Sequence, residues 1–304
     1  MTTFKWLALA GLAAAMFPAL YAEAHCPGNV ASIRSRSIEN SIIVVPVMLN
    51  DGGPYDFVLD TGAQVTTIDS ELAGELHLKL LGETGVTGAG FSTRASYAQL
   101  ELLQIGDYRV KDSLLLVHNL GQVQVNEPRV RGILGENFLE HFDLLIDYAH
   151  GIVCLDDMKM MQEKVKGEHI ALATPLHPER NLPFTEPLMI PVRVTGVTGR
   201  PLLLQLDSGI NSPLLFDPAT LHPAAFASAP LHSRGTDGVS HAYLVLPPQD
   251  IQVGPHNLQQ ISFVAPFAAG KDIPGSEIDG VLPTALFRRV FISYADHFAV
   301  LEPR

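Results

Sequence analysis

The sequence predicts a mostly β protein made of two related β-barrel lobes with a few short helices. Apolar runs alternate with Gly- and Pro-bearing turns at short intervals along the chain. Stretches with helical character are few and short. Most telling, elements of the first half recur in the same order in the second.

Composition supports a folded, core-forming chain. The 304 residues suit two domains of ordinary size or one large one, and 47% hydrophobic with 17% charged residues excludes a disordered chain. The net charge of −12 comes with no basic block, so nucleic-acid binding is not expected. The start, MTTFKWLALAGLAAAMFPALYAEAH, has a positive residue (Lys5), an apolar stretch over 6–20 and an A-x-A site at Ala22–Ala24. That pattern predicts a signal peptide over 1–24 and an exported protein, periplasmic or secreted. The apolar stretch is short for a membrane span, so the mature form is expected to be free of the membrane, an uncleaved anchor being the alternative. The two cysteines, Cys26 and Cys154, can pair in an oxidising compartment and tie the mature N-terminus to the last strand of the first half. The sequence leaves that pairing open.

The repeat sets the division of the chain. IIVVPVMLNDGGPYDFVLD runs up to Asp60, and LMIPVRVTGVTGRPLLLQLD runs up to Asp207. Each reads as a strand, a Gly-bearing turn and a second strand ending in Asp. Later, RGILGENFLEHFDLLIDYAHGIVCLD (131–156) matches DGVLPTALFRRVFISYADHFAVLEP (279–303). Gly132 corresponds to Gly280 and Tyr148 to Tyr294. The expected division is a lobe over 25–155, a connection over 156–187 and a second lobe over 188–304. Segments 30–36 and 169–174 read as equivalent outer strands. Segments 69–77, 136–142, 156–166 and 284–290 read as the short helices.

If the halves pair about a pseudo-two-fold axis, Asp60 and Asp207 meet. Two carboxylates about 3 Å apart cannot both ionise cheaply, so they share a proton. Such a pair has a base to take a proton from water and an acid to protonate a carbonyl oxygen, which suits hydrolysis of an amide. Gly62 and Gly209 let each turn approach its partner and leave N–H groups free for the carboxylates. The hydroxyls of Thr61 and Ser208 are placed to bond across to the opposite turn.

On these residues the chain resembles the aspartic peptidases, the pepsin and retropepsin superfamily. The resemblance covers roughly residues 40–303 and rests on Asp60-Thr61-Gly62-Ala63, Asp207-Ser208-Gly209 and Gly132-Ile133-Leu134-Gly135. Ala63 looks retropepsin-like and the duplication within one chain looks pepsin-like. Bacterial exported members with two retropepsin-type halves are the nearest match. The resemblance implies a pepsin-like fold of two retropepsin-like lobes, an Asp60/Asp207 catalytic dyad, no cofactor, and a peptide or unfolded-protein substrate. It also implies a substrate-binding flap, which by position falls on Gly88, Gly90 and Phe91 of ETGVTGAGFSTR. The second half departs from the pattern, with Ile210-Asn211 after Asp207-Ser208-Gly209 and Pro283 where Gly is expected.

The expected activity is therefore an aspartic endopeptidase acting as a monomer. The departures motivate one alternative, a weakly catalytic or non-catalytic peptide-binding module on the same fold. Another alternative is a symmetric assembly with the dyad formed between chains. No H-E-x-x-H or paired metal spacing occurs, so no metal site is expected. The sequence has no G-x-S-x-G elbow for a serine hydrolase and no C-x-x-C for redox chemistry.

Overall fold

The computed structural model describes residues 25–304 apart from 89–90, 176–185, 198, 218–220, 222–230, 235–239 and 267–276. The expected signal peptide over 1–24 and part of the connection between the halves lie outside the described residues. Among the described residues, no helix is long and apolar enough to cross a membrane.

The described strands form three sheets, and the repeat is visible in all of them. In the first half the hairpin Ile42–Leu49 and Gly52–Leu59 delivers the chain to Asp60. In the second half Met189–Val194 and Leu202–Asp207 do the same for Asp207. Pro46 lies inside the strand Ile42–Leu49. It falls where neither neighbour on the strand's far side is paired, between the contact of Val44 with Arg36 and that of Met48 with Gln104. A missing N–H is tolerated at such a gap.

Each hairpin's second strand then gains a parallel neighbour from much later in the chain. Gly52–Leu59 runs beside Val130–Leu134, with Phe57 opposite Gly132 and Leu59 opposite Leu134. Leu202–Asp207 runs beside Gly280–Pro283, with Leu204 opposite Gly280 and Leu206 opposite Leu282. The other edge of each late strand pairs with the segment that leaves the Asp turn, Thr67–Asp69 in one half and Leu214–Leu215 in the other. The chain therefore crosses beneath each Asp turn in the same way. Gly132 is required there, since an added Cβ would run into the Phe57 ring. At Gly280 it would run into the Leu214 carbonyl.

The third sheet joins the halves. Its order is Ser32–Arg34, Ile152–Asp156, Asp143–Asp147, Phe287–Ser293, Phe298–Pro303 and Ile170–Ala171. The two central strands, one from each half, are antiparallel, with Leu145 opposite Phe291. The outer strands Ser32–Arg34 and Ile170–Ala171 occupy matching edges. Side chains alternate across this sheet as strand geometry demands. Leu144, Ile146, Val290 and Ile292 enter the main core, which runs through both halves. Leu145, Cys154, Phe291 and Phe298 face the opposite side and pack with Cys26 and Met161. A sheet buried on both faces needs near-continuous apolar strands, which is what DLLID and IVCLD supply. Cys26 and Cys154 form a disulfide on this second face, closing a span of 128 residues.

Two of the four expected helices are corrected. Segment 156–166 forms turns, not a helix: the Asp156 carboxylate accepts from the N–H groups of Met158 and Met161, and Lys159 adopts a positive φ of 57°. A side chain that binds nearby N–H groups competes with helical bonding. Segment 284–290 is a single tight turn over Thr284–Leu286 followed by the strand Phe287–Ser293. Pairing with two neighbouring strands outweighs its helical propensity. Short helices do occur over Ser70–Glu75 and Glu136–Leu139, and an unanticipated one over Gly121–Asn126.

Candidate active site

The two Asp turns meet across the lobe interface. Each carboxylate is first held by its own turn: Oδ1 of Asp60 accepts from the Gly62 N–H at 2.8 Å, and Oδ1 of Asp207 from the Gly209 N–H at 2.6 Å. This is the bond that Asp makes to backbone two residues on. The Asp60 N–H in turn donates to the Leu134 carbonyl at 3.0 Å, so the crossing strand sets the height of the turn.

Thr61 and Ser208 then lock the turns together. The Thr61 N–H donates to Ser208 Oγ at 3.1 Å, and the Ser208 N–H donates to Thr61 Oγ1 at 3.1 Å. Each hydroxyl also donates across the interface, Thr61 to the Leu206 carbonyl at 2.8 Å and Ser208 to the Leu59 carbonyl at 2.7 Å. Both residues are buried. The bonding expected from the sequence is thus present, and it is reciprocal.

The close approach requires glycine on both sides. A Cβ at Gly62 would strike the Asp207 carboxylate, and one at Gly209 would stand 2.5 Å from the Asp60 carboxyl carbon. Each carboxyl group therefore lies against the opposite Asp turn, and the two act on each other electrostatically. Burial raises Asp60, and hydrogen bonds from the Gly62 N–H, Asp207 and the Ala63 N–H only partly oppose it. Burial, and then the charge of Asp60, holds Asp207 well above the ordinary carboxylate range. Two buried like charges in contact cannot both form, so the pair retains a proton and titrates as a unit.

With this geometry in view, similarity to known proteins becomes informative. Residues 45–138 match the family model described as aspartyl protease. The crystal structure of an aspartic proteinase from Irpex lacteus superposes with a TM-score of 0.53 at 11% identity, covering 90% of this chain and 97% of that one.

The chain has the aspartic-peptidase fold.

A retropepsin-like aspartic protease from Rickettsia conorii is also similar, at 23% identity over 41% of this chain and 90% of that chain, with a TM-score of 0.32. No curated protein sequence matches.

Within the aspartic-peptidase fold the expected flap is a hairpin. Leu80–Gly88 pairs with Phe91–Ile105 as far as Gly88 opposite Phe91. Gly90 lies outside the described residues. Exposed Gly82 and Gly85 on the hairpin have no neighbour that a Cβ would meet, so the strand is free of packing constraint there.

The departures in the second half turn out to be matched to one another. In the first half, Thr66 Oγ1 accepts from the Gly135 N–H at 3.0 Å, and Asn137 Oδ1 accepts from both the N–H and the hydroxyl of Thr66 at 2.8 Å. Six residues beyond Asp207, as Thr66 is six beyond Asp60, stands Pro213. Pro283 replaces Gly135 and Ala285 replaces Asn137. Donors and acceptors vanish together, so no buried polar group is orphaned by the prolines. The carbonyl at this position keeps its role, accepting from Leu116 at Thr66 and from Val264 at Pro213, at 2.9 and 2.8 Å.

Sequence reasoning missed Glu136 and Gln205. Glu136 is 1% exposed and its N–H donates to the Ala63 carbonyl at 2.7 Å. Gln205, also buried, donates weakly to the Thr61 and Gly62 carbonyls at 3.4 and 3.5 Å. The available signal was position alone: each lies one or two residues from a recognised motif.

Proposed function

We propose that the protein is an aspartic endopeptidase in which Asp60 and Asp207 activate water against a peptide bond. The observation that carries this reading is the pair of carboxyls, one from each lobe, each set against the other's turn by the reciprocal Thr61–Ser208 bonds. With the shared proton on Asp207, Asp60 is the base. Water gives a proton to Asp60 as its oxygen attacks the carbonyl carbon. Asp207 gives its proton to the carbonyl oxygen. On collapse the C–N bond breaks, the leaving nitrogen takes the proton now on Asp60, and a hydroxyl of the tetrahedral species returns its proton to Asp207 as the carbonyl re-forms, so the pair again holds one proton. Gly62 and Gly209 shape the turns, and the hairpin ending at Gly88, Gly90 and Phe91 covers the substrate. The substrate is a peptide or unfolded protein, and the acting form is a monomer, since one chain supplies both carboxyls.

Export to an oxidising compartment goes with this reading, supported by the Cys26–Cys154 disulfide.

The test is mass spectrometry of a peptide mixture incubated with wild type and with Asp60→Asn and Asp207→Asn across pH. Cleavage by wild type is expected to fall as pH rises past the second ionisation of the pair. Each Asn variant, folded by circular dichroism, is expected to lose at least about 10²–10⁴-fold in kcat. Bound but intact peptides at every pH would favour the peptide-binding module, the reading that Ile210-Asn211 and Pro283 first raised.

A further inference from the structure

The central strands of the sheet that joins the lobes, Asp143–Asp147 and Phe287–Ser293, end differently on their two sides. Asp147 stands opposite Arg289 at one end, and Asp143 stands opposite Ser293 at the other. The repeat that equates Tyr148 with Tyr294 also equates Asp147 with Ser293 and Asp143 with Arg289. The two ends are therefore pseudo-symmetric places with different chemistry. One holds an ion pair, Arg289 Nη2 to Asp147 Oδ2 at 2.6 Å. The other has an acid in the place of the arginine and a hydroxyl in the place of its carboxylate.

Asp143 is 4% exposed, and its Oδ2 has no hydrogen-bond partner among the described residues. On its other side the ladder sets Asp156 directly opposite. Asp156 is likewise buried, and its two oxygens accept from the N–H groups of Met158 and Met161 at 2.9 and 2.6 Å. Side chains of directly opposed residues share a face about 5 Å apart, and like charges there repel. Lys159, the nearby cation, is engaged by Asp296 at 2.7 Å. The turns of 156–166 lie over this spot. Gln162 donates to Ser293 Oγ at 2.9 Å and to Asp296 at 2.7 Å, and Met161 packs in the apolar cluster of this face.

We propose that the joint between the lobes is a pH-sensitive device, in which Asp143 is a neutral acid when the joint is closed and its ionisation beside Asp156 lifts the 156–166 segment off the sheet. The device stands whether or not the chain cuts peptides.

The groups that face Asp143 are Asp156 on the neighbouring strand, Ser293 opposite, and Lys159, Gln162 and Asp296 over the sheet. Burial raises Asp143, bonds from Ser293 and Gln162 oppose this in part, and the charges of Asp156 and Asp296 raise it further. Stability from an acid raised in the folded state is fully present below the unfolded value near 4 and is lost as pH rises through the folded one. Asp147, held low by Arg289 and His150 against its burial, has the opposite sense and is lost only as pH falls. The joint is therefore strongest in mild acid, and it loosens from the Asp143 end as pH rises.

The experiment follows amide hydrogen exchange, corrected for its intrinsic pH dependence, and calorimetric melting from about pH 4 to about pH 8. It compares wild type with Asp143→Asn. In wild type, the Met158 and Met161 amides are expected to lose at least about tenfold more protection with rising pH than the strand Ile42–Leu49 does. In the variant that differential loss should vanish, because the amide cannot ionise. Its melting temperature should also gain on that of wild type as pH rises. Equal changes in protection for the two segments overturn the proposal, a result read on wild type alone even if the variant fails to fold. A folded variant whose 156–166 amides open as wild type does, or whose melting gap is constant with pH, overturns it too.

Discussion

Thr61 and Ser208 each donate a backbone N–H to the other's hydroxyl at 3.1 Å, across a sequence separation of 147 residues. Each hydroxyl donates its own hydrogen bond to a carbonyl of the opposite lobe. Four buried hydrogen bonds thus fix the relative position of two carboxyl groups that belong to different lobes. Ser208→Ala leaves a buried N–H and a buried carbonyl without partners, a loss of about 2–4 kcal/mol in urea unfolding. Thr61→Val should behave alike. The two substitutions remove different bonds, those of Thr61 Oγ1 and those of Ser208 Oγ, so any departure of the double variant from the sum of the singles measures the coupling between the two turns. Under the proposed function, the singles should lower kcat more than they raise KM, because slight displacement of a reacting group is costly.

Gly62 and Gly209 each face the opposite carboxyl. Gly62→Ala or Gly209→Ala forces the turns apart and is expected to lower kcat/KM by about 10²-fold. Gly82→Ala, on the exposed hairpin with open space at its Cβ, should retain cleavage. Parallel peptide-cleavage assays on the three purified variants check this.

Asp147 and Arg289 stand opposite one another in the sheet that joins the halves. Arg289 donates from Nη2 and Nε to Asp147 Oδ2 at 2.6 and 3.0 Å, and the Asp147 side chain is 1% exposed. Burial raises Asp147, but the bonds from Arg289 and His150 outweigh it and hold the carboxyl below the ordinary range. A lowered folded value means its stabilisation is complete above the unfolded value near 4 and is lost as pH falls through the folded one. Asp147→Asn should cost about 3 kcal/mol near neutrality. The gap in melting temperature between wild type and variant should shrink towards pH 2, as read by calorimetry at both pH values.

The Cys26–Cys154 bond pins the first described residues to the outer face of that same sheet. A paired Cys26→Ser, Cys154→Ser variant should lose roughly 2–5 kcal/mol. Denaturant unfolding of the oxidised protein against the variant checks the size, and thiol titration of unreduced wild type should find no free cysteine.

Much of the fold was legible because the chain states it twice. The strand–turn–strand approach to Asp60 is local chemistry, and its recurrence at Asp207 made a pair of turns readable as one site. The 156–166 segment was misread because helical propensity is a weak guide where one capping carboxylate, Asp156, redirects the N–H groups beside it. The 284–290 segment was misread because strand pairing on both sides of Phe287–Ser293 overrides local preference. Pro283 stood out as a lone departure. Its compensation by Pro213 and Ala285 depends on which groups touch across the crossing strand, which residue order alone does not express.

Residue order by itself determined the duplication, the two Asp turns and the apolar alternation that builds the sheets, since these are written in local pattern and in its repetition. Only the folded chain decided that each carboxyl lies against the opposite turn, that Cys26 meets Cys154, and that Glu136 is buried beside the first Asp turn. Those are contacts between distant segments, and their physics, desolvation and charge at a few ångströms, exists only once the lobes have closed on each other.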